Sequence, residues 1–123
     1  MLIVEDDPGV AGMLRDALSD ARYRVVVAED GDEALTECAI EEPDVILLDI
    51  KLKHMDGDQF LTRYRRRRSA KAKIIVVSGL LGLDRLMLPV DDIVGKPFDL
   101  GDVLSRVQRA AAVRSEEPRE FAE

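Results

Sequence analysis

At 123 residues the chain makes one domain. Its apolar fraction of 46% can fill a core, but aromatic residues make up only 4% and Trp is absent, so Val, Ile, Leu, Met and Ala must build that core. A net charge of −7 argues against general nucleic-acid binding, a single cysteine excludes an internal disulfide and fits a reducing cytosol, and no apolar run approaches the roughly 18 to 20 residues that cross a membrane.

The elements follow in chain order. Leu2–Val4 reads as a buried strand and ends on Glu5-Asp6-Asp7. Pro8 opens a helix whose apolar residues, Val10, Met13, Leu14, Ala17, Leu18 and Ala21, recur at spacings of three and four. Residues 23–28 are strand-like, and Asp30-Gly31 leads into a second helix with the stripe Ala34, Leu35, Cys38 and Ala39. Pro43-Asp44 stops that helix. Residues 45–50 are apolar almost throughout, as strands covered on both faces are. Asp56-Gly57 is a turn, and a third helix over 58–68 carries Phe60, Leu61 and Tyr64. Residues 73–77 form a strand ending at Ser78; 79–82 are a loop; 83–88 allow two helical turns at most. Residues 93–96 form the last strand, and Asp99 caps a final helix with Leu100, Val103, Leu104, Val107 and Ala111 on one face. A domain over 1–114 and a polar tail over 115–123 follow from this reading. The N-terminus has no basic stretch ahead of an apolar one, so no secretory signal is expected.

Strands and helices alternate five times, which predicts an α/β fold: a parallel sheet in a three-layer doubly wound arrangement with right-handed crossovers. Ligands of such sheets bind outside the carboxyl ends of the strands. Four strand ends carry Glu5 and Asp6, Asp49, Ser78 and Lys96. Carboxylates packed together repel and call for a cation. Magnesium suits an all-oxygen shell, and the absence of a His and Cys cluster argues against zinc. A carboxylate can attack phosphorus, Lys96 can offset phosphoryl charge, and Ser78 can donate a hydrogen bond. Asp7 reads instead as the helix entry. His54 is a lone loop histidine with no catalytic or metal role expected. Cys38 and the methionines Met13, Met55 and Met87 read as core or loop filler. The basic run Arg63, Arg65, Arg66, Arg67, Arg68 is either a docking patch or a solvated helix end, and the helix dipole favours the second.

The segments LIVEDDP, DGDEAL, PDVILLDIKLKHMDGDQFL, IIVVSG and GKPFDLGDVL, in this order, resemble the receiver domain of bacterial two-component response regulators over nearly the whole chain. The resemblance implies a flavodoxin-like (CheY-like) five-stranded parallel sheet of strand order 2-1-3-4-5. It implies a phosphoacceptor signalling domain that assists its own phosphorylation and dephosphorylation rather than an enzyme with a separate substrate. Asp49 would be the phosphoacceptor. Glu5, Asp6, Asp49 and the main-chain carbonyl of Lys51 would bind Mg2+, Ser78 and Lys96 would contact the phosphoryl group, and Lys96-Pro97 would be a cis peptide. A histidine kinase or histidine phosphotransfer protein would be the donor and a downstream protein the target. No direct nucleic-acid or membrane contact, a cytoplasmic location, and a monomer or phosphorylation-dependent dimer are expected.

Three positions depart from the family pattern. Lys53 stands where Pro is common, Ile93 stands at the aromatic switch position, and the segment between Ser78 and Lys96 is short, implying a shortened fourth helix and an atypical output surface. Two competing readings remain. A phosphohydrolase of the haloacid dehalogenase type would carry a second Asp two residues after Asp49, where this chain has Lys51. A pseudo-receiver interaction module would not need phosphorylation.

Overall fold

The computed structural model describes residues 1–50, 57–79 and 89–116. Five strands, β1 (Leu2–Val4), β2 (Val26–Ala28), β3 (Val45–Asp49), β4 (Lys73–Ser78) and β5 (Asp92–Gly95), form one parallel sheet in the order β2-β1-β3-β4-β5. The described helices are α1 (Pro8–Asp20), α2 (Gly31–Ile40), α3 (Gly57–Arg65) and α4 (Leu100–Glu116). The expected short helix over 83–88, the segment 51–56 with Lys51, Lys53, His54 and Met55, and residues 117–123 lie outside the described residues.

Alternation along β3 and β4 sorts the core into two layers. Ile46, Leu48, Ile74 and Val76 face α2 and α3, where they meet Ala34, Cys38, Phe60, Leu61 and Tyr64. Leu47, Ile75 and Val77 face the other way, against Leu14 and Leu18 of α1 and Val103 and Val107 of α4. This is the three-layer arrangement that continuous apolar strands require.

Each of three helices starts on an aspartate placed just after a strand or its loop. Asp7 accepts from the Gly9 and Val10 N–H groups at 2.9 and 3.3 Å, Asp30 from Glu33 at 2.8 Å, and Asp99 from Gly101 at 2.7 Å. These bonds satisfy helix-start donors that have no intrahelical partner. They also fix where the preceding strand ends, and therefore where its last side chain points.

Several boundaries differ from the expected ones. β2 is Val26–Ala28 and not 23–28; in the parallel register Val26 pairs with Leu2, the first residue of β1. Helix α1 closes with Arg22 in the left-handed region (φ 73°), after which residues 23–25 run to the strand. Helix α3 runs Gly57–Arg65 rather than 58–68; Arg67 and Ala70 bond back to Tyr64 and Arg67 in successive turns. Helix α4 runs to Glu116. Met13, expected as core filler, is 43% exposed on the outer face of α1.

Candidate functional site

The register of the sheet assembles the site. Val4 pairs with Leu48, so Glu5 comes out beside Asp49; Ser78 pairs with Gly95, so Lys96 comes out one residue further along. Glu5 is held by its own backbone, its N–H donating to the Ala28 carbonyl at 3.0 Å, while its carboxylate accepts from the Asp7 N–H at 3.2 Å. Lys96 is fixed similarly, its N–H donating to the Ser78 carbonyl at 2.8 Å ahead of a cis Lys96-Pro97 peptide.

Among the described residues, Glu5, Asp49 and Ser78 are the buried polar ones, at 3%, 6% and 1% exposure. Burying an ionised group is unfavourable unless it is paired. The Lys96 ammonium lies 3.3 Å from Asp49 Oδ2 and 3.6 Å from Glu5 Oε1, so it faces both buried carboxylates. Burial, then a hydrogen bond shared with Asp49, pushes the Glu5 carboxyl up to about 7, against the pull of the Asp7 N–H and Lys96. Burial pulls the Lys96 ammonium down, but Asp49 and Glu5 outweigh it and the net shift is upward.

Carboxylate oxygens of Glu5, Asp6 and Asp49 all lie within 4.8 Å of one another. An all-oxygen, acidic donor set is what a hard divalent cation such as magnesium takes, so these residues fit that ion. Ser78 sits at the same rim, its hydroxyl donating to the Gly79 carbonyl at 3.0 Å. The structure therefore brings together Glu5, Asp6, Asp49, Ser78 and Lys96. The Lys51 carbonyl lies outside the described residues. Ile93 is apart from the cluster, 39% exposed on β5.

The segment leaving Asp49 returns at Gly57, whose N–H donates to the Ile50 carbonyl at 2.9 Å. A Cβ at Gly57 would stand 2.4 Å from Ile50 Cδ1 and 3.0 Å from Ile50 Cα. Only glycine permits this close approach.

The basic run is largely consumed inside the molecule. Arg67 donates to the Cys38 carbonyl at 2.9 Å and lies 3.6 Å from Glu42; Arg65 donates to the Pro89 carbonyl at 3.1 Å; Arg63 faces Asp32 at 3.7 Å. Cys38 packs as a small buried residue, and burial pushes its thiol up to about 11.

Two polar groupings were not expected from the sequence. The Tyr64 hydroxyl, buried between α3 and β4, donates to Glu42 and accepts from the Ala72 N–H at 2.9 Å. Arg106 on α4 donates to both carboxylate oxygens of Asp102 at 3.1 Å and also reaches Asp92 on β5. The spacing of four between Asp102 and Arg106 is a readable helix-pair signal; the bonds to Asp92 and from Tyr64 to Glu42 are long-range and leave no local pattern.

Residues 1–108 match the family model for the response regulator receiver domain. The transcriptional activator protein IrlR of Burkholderia pseudomallei is 38% identical over 111 residues, covering 88% of this chain and 48% of that protein. The alkaline phosphatase synthesis transcriptional regulatory protein PhoP of Bacillus subtilis is 34% identical over 122 residues, covering 94% and 49%. The chain thus spans about half the length of these curated relatives. Among solved structures, the receiver domain of the Pseudomonas aeruginosa sensor histidine kinase PA1611, which has a magnesium ion coordinated in its active-site cleft, is 27% identical with a TM-score of 0.84, covering 90% of this chain and 95% of that one. Chemotaxis response regulator CheY4 of Vibrio cholerae is 27% identical with a TM-score of 0.82, covering 89% and 95%.

Proposed function

The chain belongs to the response regulator receiver domain family of two-component systems, and we propose that within it this domain accepts a phosphoryl group on Asp49. The observation that carries the proposal is the placement of Lys96 3.3 Å from a buried Asp49 whose carboxylate closes an oxygen cluster with Glu5 and Asp6. One Asp49 oxygen forms a bond to phosphorus as the bond from phosphorus to the donor breaks. The electron pair of the broken bond leaves with the donor, an imidazole nitrogen for a histidine kinase or histidine phosphotransfer protein, or an oxygen for a small acyl phosphate.

Magnesium, held by Glu5, Asp6, Asp49 and the main-chain carbonyl of Lys51, would offset charge on the phosphoryl oxygens. Lys96 turns from the two carboxylates toward a phosphoryl oxygen and offsets a further charge. The Ser78 hydroxyl exchanges the Gly79 carbonyl for a phosphoryl oxygen. Ile93 occupies the switch position without an aromatic ring, so the signal to a downstream protein travels by another rearrangement. The domain works in the cytoplasm, as a monomer or a phosphorylation-dependent dimer. Its own surface, on a chain of net charge −7, is assigned no nucleic-acid contact; the relatives named as transcriptional regulators are about twice as long as this match.

The test is intact-mass spectrometry after incubation with magnesium and acetyl phosphate, on wild type and Asp49→Asn. One phosphoryl adduct on wild type alone supports the proposal. No adduct together with no magnesium binding would overturn it in favour of an interaction module that works without phosphorylation.

A further inference from the structure

Strand β5 is one of the two edge strands of the sheet, four residues long and, among the described strands, paired with β4 alone. It is also the strand that delivers Lys96. Its inner side is bound to β4: the Asp91 N–H donates to the Ile74 carbonyl at 2.9 Å, the Asp91 carboxylate accepts from the Ile74 N–H at 2.7 Å, and the Lys96 N–H reaches Ser78. Along a parallel strand the backbone groups point alternately to either side. The Ile93 N–H and carbonyl bond to side chains and not to β4, so they lie on the outward side, where no further strand follows among the described residues.

Unpaired edge groups are normally left to solvent or blunted by charge. Here both are taken by one cluster. The Ile93 N–H donates to Asp92 Oδ1 at 2.9 Å, and the Ile93 carbonyl accepts from Arg106 Nη1 at 3.2 Å. The same Arg106 nitrogen binds Asp92, while its Nε is shared by the two oxygens of Asp102. Arg106 and Asp92 are each only 28% exposed. The guanidinium fork thus ties helix α4 to the outer edge of β5, which a single-point ammonium cannot do.

We infer that Arg106 is a positioning residue for the phosphoryl site: by gripping the Ile93 carbonyl it fixes the edge strand that aims Lys96 at Asp49. This rests on the reading of Asp49 as acceptor. Magnesium binding does not depend on the grip, because Glu5, Asp6 and Asp49 follow β1 and β3, which lie three and two strands away from β5.

The experiment compares wild type, Arg106→Gln and Arg106→Lys in three measurements on dilute protein: amide hydrogen exchange at Lys96, magnesium affinity, and the rate of phosphorylation by acetyl phosphate. Arg106→Gln is expected to speed exchange at Lys96 and to slow phosphorylation by about fivefold to tenfold, as misplacement of a reacting group does, with magnesium affinity unchanged. Arg106→Lys should recover only part of both. Unchanged exchange and rate, or a parallel fall in magnesium affinity that signals general loosening, would overturn the inference. Should wild type take up no phosphoryl group, the acceptor reading falls. Exchange at Lys96 then decides the grip alone: faster exchange in Arg106→Gln upholds it and unchanged exchange overturns it.

Discussion

The Lys96 ammonium and the Asp49 carboxylate meet at 3.3 Å across 47 residues of sequence. The contact exists because β3 and β5 flank β4 in one parallel sheet, and their last residues come out on the same rim. Replacing Lys96 by Met keeps much of the apolar stem and removes the charge. Phosphorylation of Asp49 by acetyl phosphate is then expected to slow by about tenfold to a hundredfold, as loss of one preorganised charge contact does. A mass-spectrometric time course measures it, and an unchanged rate would remove Lys96 from the phosphoryl site.

Glu5 makes the metal-free domain sensitive to pH. Its carboxyl is raised from 4.5 to about 7 in the folded state. A raised folded value means stability that is present in full below the unfolded value and lost as pH climbs through the folded one. With a chelator present, the unfolding free energy from urea titrations should therefore decline from about pH 4.5 to about pH 7, by roughly 3 kcal/mol at most. Glu5→Gln should flatten the decline, and magnesium added at pH 7.5 should reverse it in wild type. A flat wild-type profile over that interval would show that the carboxylates are fully compensated without a cation.

The Tyr64 hydroxyl accepts the Ala72 N–H and donates to Glu42, so Tyr64→Phe leaves a buried N–H and a partly buried carboxylate short of a partner. The expected cost is about 1 to 3 kcal/mol in chemical denaturation. Magnesium affinity should stay the same, since this network lies away from the strand ends that carry the acidic cluster. A change below the error of the measurement would mean that water replaces the hydroxyl.

Gly57→Ala drives a methyl group into Ile50, and against its Cα no rotamer change helps. The start of α3 must move, at an expected cost of about 1 to 3 kcal/mol for overpacking. Because Ile50 follows Asp49 directly, slower phosphorylation should accompany the lost stability, read in the same acetyl phosphate assay. Normal stability and rate in this variant would show that the turn relaxes freely.

The three inner strands β1, β3 and β4 were legible because each is an apolar run buried on both faces. Leu2–Val4, Val45–Asp49 and Lys73–Ser78 read directly. The residues at the rim, Glu5, Asp49, Ser78 and Lys96, were legible by position alone, since a charged or hydroxyl residue closes each run. What local pattern could not supply was partnership. Residues 23–25 have strand composition, but they precede Val26, which pairs with Leu2 at the start of β1. Met13 falls on the apolar period of α1, yet the layer beneath is filled by Leu14 and Leu18. Arg67 reads as one of a charged row, while its guanidinium is occupied by a carbonyl 29 residues away.

The sheet also divides the interior into two apolar halves that meet only through strand backbones. Phe60 and Tyr64 belong to one, Val103 and Val107 to the other. Truncations placed one on each side should be close to additive, whereas pairs on one side should couple through their shared neighbours. The halves can then diverge in composition independently, so long as β3 and β4 still serve both.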